Sequence, residues 1–287
     1  MGGILVLGGT GNIGTCLTEE LVTRGLQFTL GVRGPERMAE LKSRGLAVRE
    51  ADFTRPETLS RAMRGMDALF LLVPLVEELS VWTVSAIRAA RQACVRHIVR
   101  VSGAGAGVDS SYDFGRLHGA LDEAVRDSAI PYTLLRPSFF MQNFANYYAQ
   151  MVRSGSIALP YGEARVALVD VRDVARAAAE ALAEPAEHTR RVYTLTGPEA
   201  LTMQDVAARL STELERSVAF VPVGDAAVAE AMTKGGVPAW NISMMCSLAG
   251  FIRSGGASGT NKIVERVTGR QPNDFATFAR DYRNSWL

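Results

Sequence analysis

Cysteine is scarce and scattered: Cys16, Cys94 and Cys246 are the only three in 287 residues, at no spacing that suits a zinc site or a redox pair. A disulfide framework has no support, and a reducing compartment is expected. An excess of charge of one sign is lacking as well. The formal net charge is +1 and the densest basic run is His188-Thr189-Arg190-Arg191, so neither nucleic acid nor an anionic membrane surface is an expected partner. No apolar run is long enough to span a bilayer. The first strand is expected within a few residues of Met1, which leaves the expectation of no signal peptide and a cytoplasmic location. Internal repeats and low-complexity linkers are missing too. What remains is an ordinary globular composition, 47% hydrophobic and 21% charged, enough for one large domain or a domain with an appended lobe.

Ile4-Leu5-Val6-Leu7 is a continuous apolar run that breaks into Gly8-Gly9-Thr10-Gly11-Asn12-Ile13-Gly14. It reads as buried strand, tight turn and helix, with Ile13, Leu17 and Leu21 or Val22 as the helix's core stripe. Glycines spaced G-x-x-G-x-x-G suit phosphate. Gly8 takes the turn, Gly11 lets a pyrophosphate approach the main chain, Gly14 allows close helix–strand packing, and the free amides of the helix start face the anion. The alternative is a plain connecting turn, for which three glycines at this spacing are a costly construction.

Strand and helix patterns then alternate. Strands are expected at 28–33, 46–51, 68–74, 97–103, 132–137 and 192–198, with helices at 36–44, 56–64, 79–94, 112–125, 171–183 and 203–214, the last capped by Thr202. Alternation without hairpin signals predicts an α/β fold, a doubly wound parallel (Rossmann) sheet whose ligands lie over the strand carboxyl ends. Residues 1–138 plus about 164–198 form the expected dinucleotide-binding domain. A smaller, mostly C-terminal substrate lobe is expected from about 139–163 plus 199–287. Within it, 235–259 mixes Gly, Ser, Met and Trp without a period, and is expected to be a mobile cover.

Several side chains fall where a dinucleotide fold does its work. Arg33 closes the second strand at the place of the ribose-reading residue, where an acid would favour NAD and a guanidinium favours the 2′-phosphate of NADP, with Arg37 as a second contact. Asp52 either accepts from an adenine amino group, with Phe53 beside the ring, or caps the next helix. Ser102 sits at the end of the fifth strand. Phe114, His118 and Asp122 share one helical face, the spacing a catalytic helix uses. The stretch 138–148 is aromatic and amide-rich: it is either a helix packing into the core or a pocket wall for a flat ligand, and its place after a strand end favours the wall.

The glycine loop, Leu134-Leu135-Arg136-Pro137, Tyr193-Thr194-Leu195-Thr196-Gly197-Pro198 and Thr268-Gly269-Arg270-Gln271-Pro272 together resemble the NmrA-like atypical short-chain dehydrogenase/reductase family. That resemblance implies an NAD(P)-binding protein, in a family that includes quinone and dye reductases and also regulators that sense cofactor without turnover. It also implies cofactor contacts at Gly8, Thr10, Gly11, Asn12, Ile13, Arg33, Asp52, Phe53, Val73, Pro74, Ser102 and His118. The Tyr-x-x-x-Lys pair of ordinary dehydrogenases is absent. One register puts Phe114, His118 and Asp122 in its place, and a second offers Tyr112 with Arg116. The first is preferred. The expected reaction is NADPH-dependent hydride transfer to a flat conjugated acceptor such as a quinone or related aromatic ketone, in a monomer or homodimer. The nicotinamide is expected near Ser102, His118 and Pro137, with the acceptor bounded by Phe140, Asn143, Phe144 and Tyr147. His118 would orient the cofactor or donate a proton with Asp122 supporting it, or be satisfied by a backbone partner. The alternatives are a non-catalytic NADP(H) sensor, to which Phe114 points, and a redox-neutral tailoring enzyme on the same scaffold.

Overall fold

The computed structural model describes residues 3–287. Among the described residues nine strands run in chain order: β1 Gly3–Leu7, β2 Phe28–Val32, β3 Val48–Glu50, β4 Met66–Leu71, β5 His97–Val101, β6 Tyr132–Pro137, β7 Ser156–Leu159, β8 Arg191–Leu195 and β9 Ala219–Pro222. Seven of them form one sheet in the order β3-β2-β1-β4-β5-β6-β8, and β1 pairs in parallel with both β2 and β4. The pairings across β2–β3, β4–β5 and β5–β6 are parallel as well. The α/β Rossmann expectation is therefore met. Strand order reverses between β1 and β4, the place where such sheets open a crevice at their carboxyl edge.

The chain divides into two compact units, the first made of residues up to Ser102, Leu117–Arg136 and Val174–Tyr193. Its core follows from continuous apolar strands: Leu5, Leu7, Leu69, Leu71, Ile98 and Leu134 are buried together. The Asn12–Thr23 helix lays Ile13, Leu17 and Leu21 on that sheet, while Val22 faces out. β4 ends at Leu71, short of the expected 74, so Val73 and Pro74 lie in the turn that follows it.

The second unit comprises Gly103–Arg116, Pro137–Asp173 and Thr194–Leu287. This partition differs from the expected one in taking 103–116, 137–138, 164–173 and 194–198 away from the dinucleotide-binding part. Its core gathers Phe144, Ile157, Leu210, Phe275, Phe278 and Trp286, and β7 pairs with β9 as a small parallel sheet. Thr202 caps the Met203–Leu214 helix as expected, in a reciprocal capping box with Asp205. The stretch expected as a mobile cover instead contains a 15-residue helix, Ala239–Arg253, with Met244, Ala249 and Ile252 buried. Apolar residues surround this helix on every side, so no stripe marked it in the sequence.

At the start of β5, His97 is buried with its Nε2 3.0 Å from Thr133 Oγ1. That hydroxyl spends its own proton on the His188 carbonyl at 2.8 Å, so His97 donates through Nε2 and stays neutral. Burial, then the charge of His188, holds the His97 pKa at about 4 against 6.5 for a free imidazole. On acidification protons bind the unfolded chain first, so stability held above pH 6.5 should be lost as pH falls toward 4. From His97 alone that loss is at most about 3 kcal/mol. Denaturant unfolding across this range should show the loss in wild type and a smaller one in His97→Gln. A residue of it persists because His118 is shifted the same way, to about 3.

Candidate cofactor site and active site

The glycine loop leaves β1 through Gly8 at φ +86, and a Cβ there would sit 2.6 Å from the Leu72 carbonyl oxygen. At Gly14 a Cβ would run into the Gly8 carbonyl and the Gly9 main chain, so helix and loop touch backbone to backbone. Gly11 differs: the nearest atom to its Cβ position is 3.8 Å away, and Thr10, Gly11 and Asn12 are exposed. Gly11 is also the N-cap of the Asn12–Thr23 helix, with no capping side chain and no acid in the first turn. The Gly11 N–H donates to Gly8 O at 3.3 Å and the first helical bond comes from Thr15 N–H to Gly11 O at 2.8 Å, which leaves the amides of 12–14 to serve an anion.

Arg33 directly follows β2, is exposed, and has no partner among the described residues. Arg37, the second expected phosphate contact, is instead paired with Glu40. Asp52 is not the helix cap, since Arg55 holds that position ahead of Pro56–Met63. Its Oδ1 accepts from Thr54 N at 2.9 Å and Thr54 Oγ1 at 2.7 Å, and its Oδ2 accepts from Arg55 Nε at 3.3 Å. Desolvation raises its pKa, but the Thr54 bonds and the Arg55 charge outweigh it and the net shift is downward. Asp52 thus stays an anionic acceptor closing a turn. Phe53 stacks on Trp82, with centroids 5.8 Å apart and planes 9° from parallel.

Along the same carboxyl edge, Val73 is half-buried, Pro74 exposed, and Ser102 buried with its Oγ lacking any hydrogen-bond partner. An orphaned buried hydroxyl at a strand end, uncapped helix amides and an open Gly11 are what a dinucleotide would complete. The residues present fit that cofactor.

The Phe114, His118 and Asp122 face of the Asp113–Asp127 helix holds a buried ion group that no single stretch of sequence displays. Arg100, in the middle of β5 and 2% exposed, donates through Nη1 to Asp122 Oδ1. Asp122, 0% exposed, gives its other oxygen to Arg136 of β6, at 2.9 Å from Nε and 2.7 Å from Nη2. Arg100 Nη2 lies 3.3 Å from His118 Nδ1. Asp122 therefore meets His118 through Arg100. Burial, then the charges of Arg100 and Arg136, holds the His118 pKa at about 3, so the ring is neutral near pH 7. The register through Tyr112 and Arg116 finds no catalytic counterpart: Tyr112 packs edge-on against Phe251 and Arg116 pairs with Asp113. An arginine inside the apolar run His97-Ile98-Val99-Arg100-Val101 was the available signal, because a buried guanidinium demands a carboxylate.

In the second unit, Pro137 is buried at the end of β6. The four expected acceptor contacts do not form one wall. Phe144 is a core residue, 0% exposed, packed on Phe275 and Tyr148, with its carbonyl accepting from Trp286 Nε1 at 2.8 Å. Its expected place at the acceptor is corrected accordingly. Tyr147 is 82% exposed, and Phe140 and Asn143 are half-buried. The cause is the short 3₁₀ turn Met141–Asn143, which sends neighbouring aromatics in different directions.

A family model described as NAD(P)H-binding matches residues 8–185, which span the glycine loop, Arg33, Asp52, Ser102 and His118. The chain belongs to this NAD(P)H-binding family. Its similarity to known proteins bears out the NmrA-like atypical short-chain dehydrogenase/reductase expectation. The NAD(P)H-binding chain is 36% identical to the NAD(P)H azoreductase of Xenophilus azovorans over 96% of each sequence. It matches the NADPH complex of an Escherichia coli NADPH-dependent quinone oxidoreductase with a TM-score of 0.87 at 26% identity, covering 98% of this chain and 100% of that one. For the Citrobacter sp. triphenylmethane reductase bound to NADP(H), the TM-score is 0.84 at 27% identity, over 99% of this chain and 100% of the other. No described helix is long and apolar enough to cross a membrane, and no described cluster of acids, histidines and cysteines suits a metal ion.

Two glycine substitutions separate packing from binding. Gly14→Ala should destabilise the fold by more than about 2 kcal/mol, because backbone must move. Gly11→Ala should stay within about 1 kcal/mol of wild type and weaken NADPH binding at least tenfold, roughly, since its methyl would occupy the phosphate's place. Thermal unfolding and cofactor titration on both proteins check the pair.

Proposed function

We propose that this chain, an NAD(P)H-dependent oxidoreductase, passes hydride to a flat conjugated acceptor such as a quinone or related aromatic ketone, and prefers NADPH to NADH. One observation carries the reading: the catalytic helix offers a neutral His118 and an Asp122 committed to two arginines, with phenylalanine where ordinary dehydrogenases place their tyrosine acid. A simple ketone needs a proton as hydride arrives. A conjugated acceptor spreads the new charge and takes its proton from water afterwards. The similar proteins named for azo, quinone and triphenylmethane reduction support acceptors of this shape. Phe140 and Asn143, half-buried, remain the proposed acceptor contacts, with exposed Tyr147 at their margin.

The cofactor, when bound, supplies the hydride through its nicotinamide. The chain's own contribution is to hold the pyrophosphate on the 8–14 amides, meet the adenine with Asp52 and Phe53, and orient the nicotinamide end with Ser102, His118 and Pro137. Three free cysteines support a reducing, cytoplasmic setting, and a monomer or homodimer suffices for the reaction.

Stopped-flow mixing of enzyme and NADPH with a panel of quinones, aromatic ketones and azo dyes should show acceptor-dependent loss of nicotinamide absorbance; none anywhere in the panel overturns the reading. For cofactor choice, an unpartnered Arg33 meeting the 2′-phosphate should favour NADPH by about 1.5–3 kcal/mol, roughly ten- to hundredfold. Arg33→Ala should erase most of that gap and leave NADH affinity nearly unchanged. Equal weakening of both cofactors in binding titrations would remove Arg33 from the role.

A further inference from the structure

Arginine offers N–H donors and no acceptor. With Arg100 Nη2 placed 3.3 Å from His118 Nδ1, that nitrogen accepts and the ring proton belongs on Nε2. Arg100 is aimed by its neighbour, since Asp122 Oδ1 takes the other terminal nitrogen while Oδ2 is held by Arg136. The charges of Arg100 from β5 and Arg136 from β6 act on His118, and Asp122 from its own helix is shared between those two cations. A proton added at Nδ1 would be pressed against guanidinium N–H groups.

We propose that Arg100, aimed by Asp122, is a positioning residue that fixes His118 as the neutral Nε2–H tautomer, so that His118 orients by donating a hydrogen bond and is not the proton source of the reduction. The functional part of this inference rests on the reductase reading above. In that reaction hydride forms the new bond at one acceptor atom, the conjugated system carries the electron pair to a heteroatom, and water supplies the proton there. The tautomer itself does not depend on turnover.

Nitrogen-15 NMR of histidine-labelled protein tests the tautomer directly, with His118 assigned by the signals lost in His118→Gln. The expected spectrum shows an acceptor-type Nδ1 and a protonated Nε2, unchanged between about pH 5.5 and 8, where an ordinary imidazole titrates. A protonated Nδ1, or a midpoint inside that range, overturns the proposal. Arg100→Met should let the ring sample both tautomers, whereas Arg100→Lys, which keeps a charged donor, should preserve the wild-type pattern. A wild-type pattern in folded Arg100→Met overturns it, and if that variant does not fold the wild-type spectrum still decides. In acceptor reduction, the wild-type pH profile should show no inflection near a histidine pKa and should match in shape that of His118→Gln, whatever the rate that variant loses. The expected tautomer without turnover of any acceptor would sink the reductase reading alone; turnover with the proton on Nδ1 would sink the tautomer lock alone.

Discussion

Gly14 has no room for a side chain because the main chain of Gly8 and Gly9 occupies it. That backbone contact presses the start of the Asn12–Thr23 helix against the end of β1, and Gly8, at φ +86, supplies the turn that permits it. The consequence is directional. The helix's first amides and the positive end of its dipole are aimed past the carboxyl edge where strand order reverses between β1 and β4. Since all the pairings from β3 to β6 are parallel, Arg33, Asp52, Val73 and Ser102 follow strands that end at that same edge. Main-chain packing therefore sets the address, and side chains adjust only what is read there.

A second constraint is electrostatic. Asp122 is fully buried between Arg100 and Arg136, and removing one partner from such a group typically costs about 3–5 kcal/mol because a charge is left stranded. The three residues therefore persist or fail as a unit. Their net charge is one positive unit, two guanidinium groups against one carboxylate, and it adjoins a histidine. Neutral His118 is what this arrangement tolerates, so the same ion group that ties β5 and β6 to the helix also limits the chemistry of that helix.

Local features were legible in the sequence and distant ones were not. The strand–glycine–helix start, the alternation that follows, and the Thr202 cap are written within a few residues of one another, and each was found where expected. Arg100 and Asp122 meet across 22 positions, so no window of the sequence shows their pairing. β7 and β9 are four residues each and pair Ser156 with Ala219, too short for periodicity and too far apart for turn signals. The 138–148 stretch left the place of Phe144 illegible for another reason. Its composition suits a pocket and a core equally, and a 3₁₀ turn breaks the helical spacing that would have separated buried Phe144 from exposed Tyr147.

On the proposed reading, the missing acid is a selection on acceptors. A tyrosine paired with a lysine matches its proton transfer to the strongly basic alkoxide that a simple ketone becomes. Here the helix carries Phe114, His118 is held neutral, and Arg100 and Arg136 do not release protons near neutral pH. An acceptor must then hold negative charge long enough for water to protonate it, which quinones and extended dyes do by delocalisation. The buried positive charge of the Arg100–Asp122–Arg136 group acts in the same direction. It opposes protonation of His118, and because the group is held by packing before substrate arrives, that opposition is in place throughout the reaction and the proton is left to water.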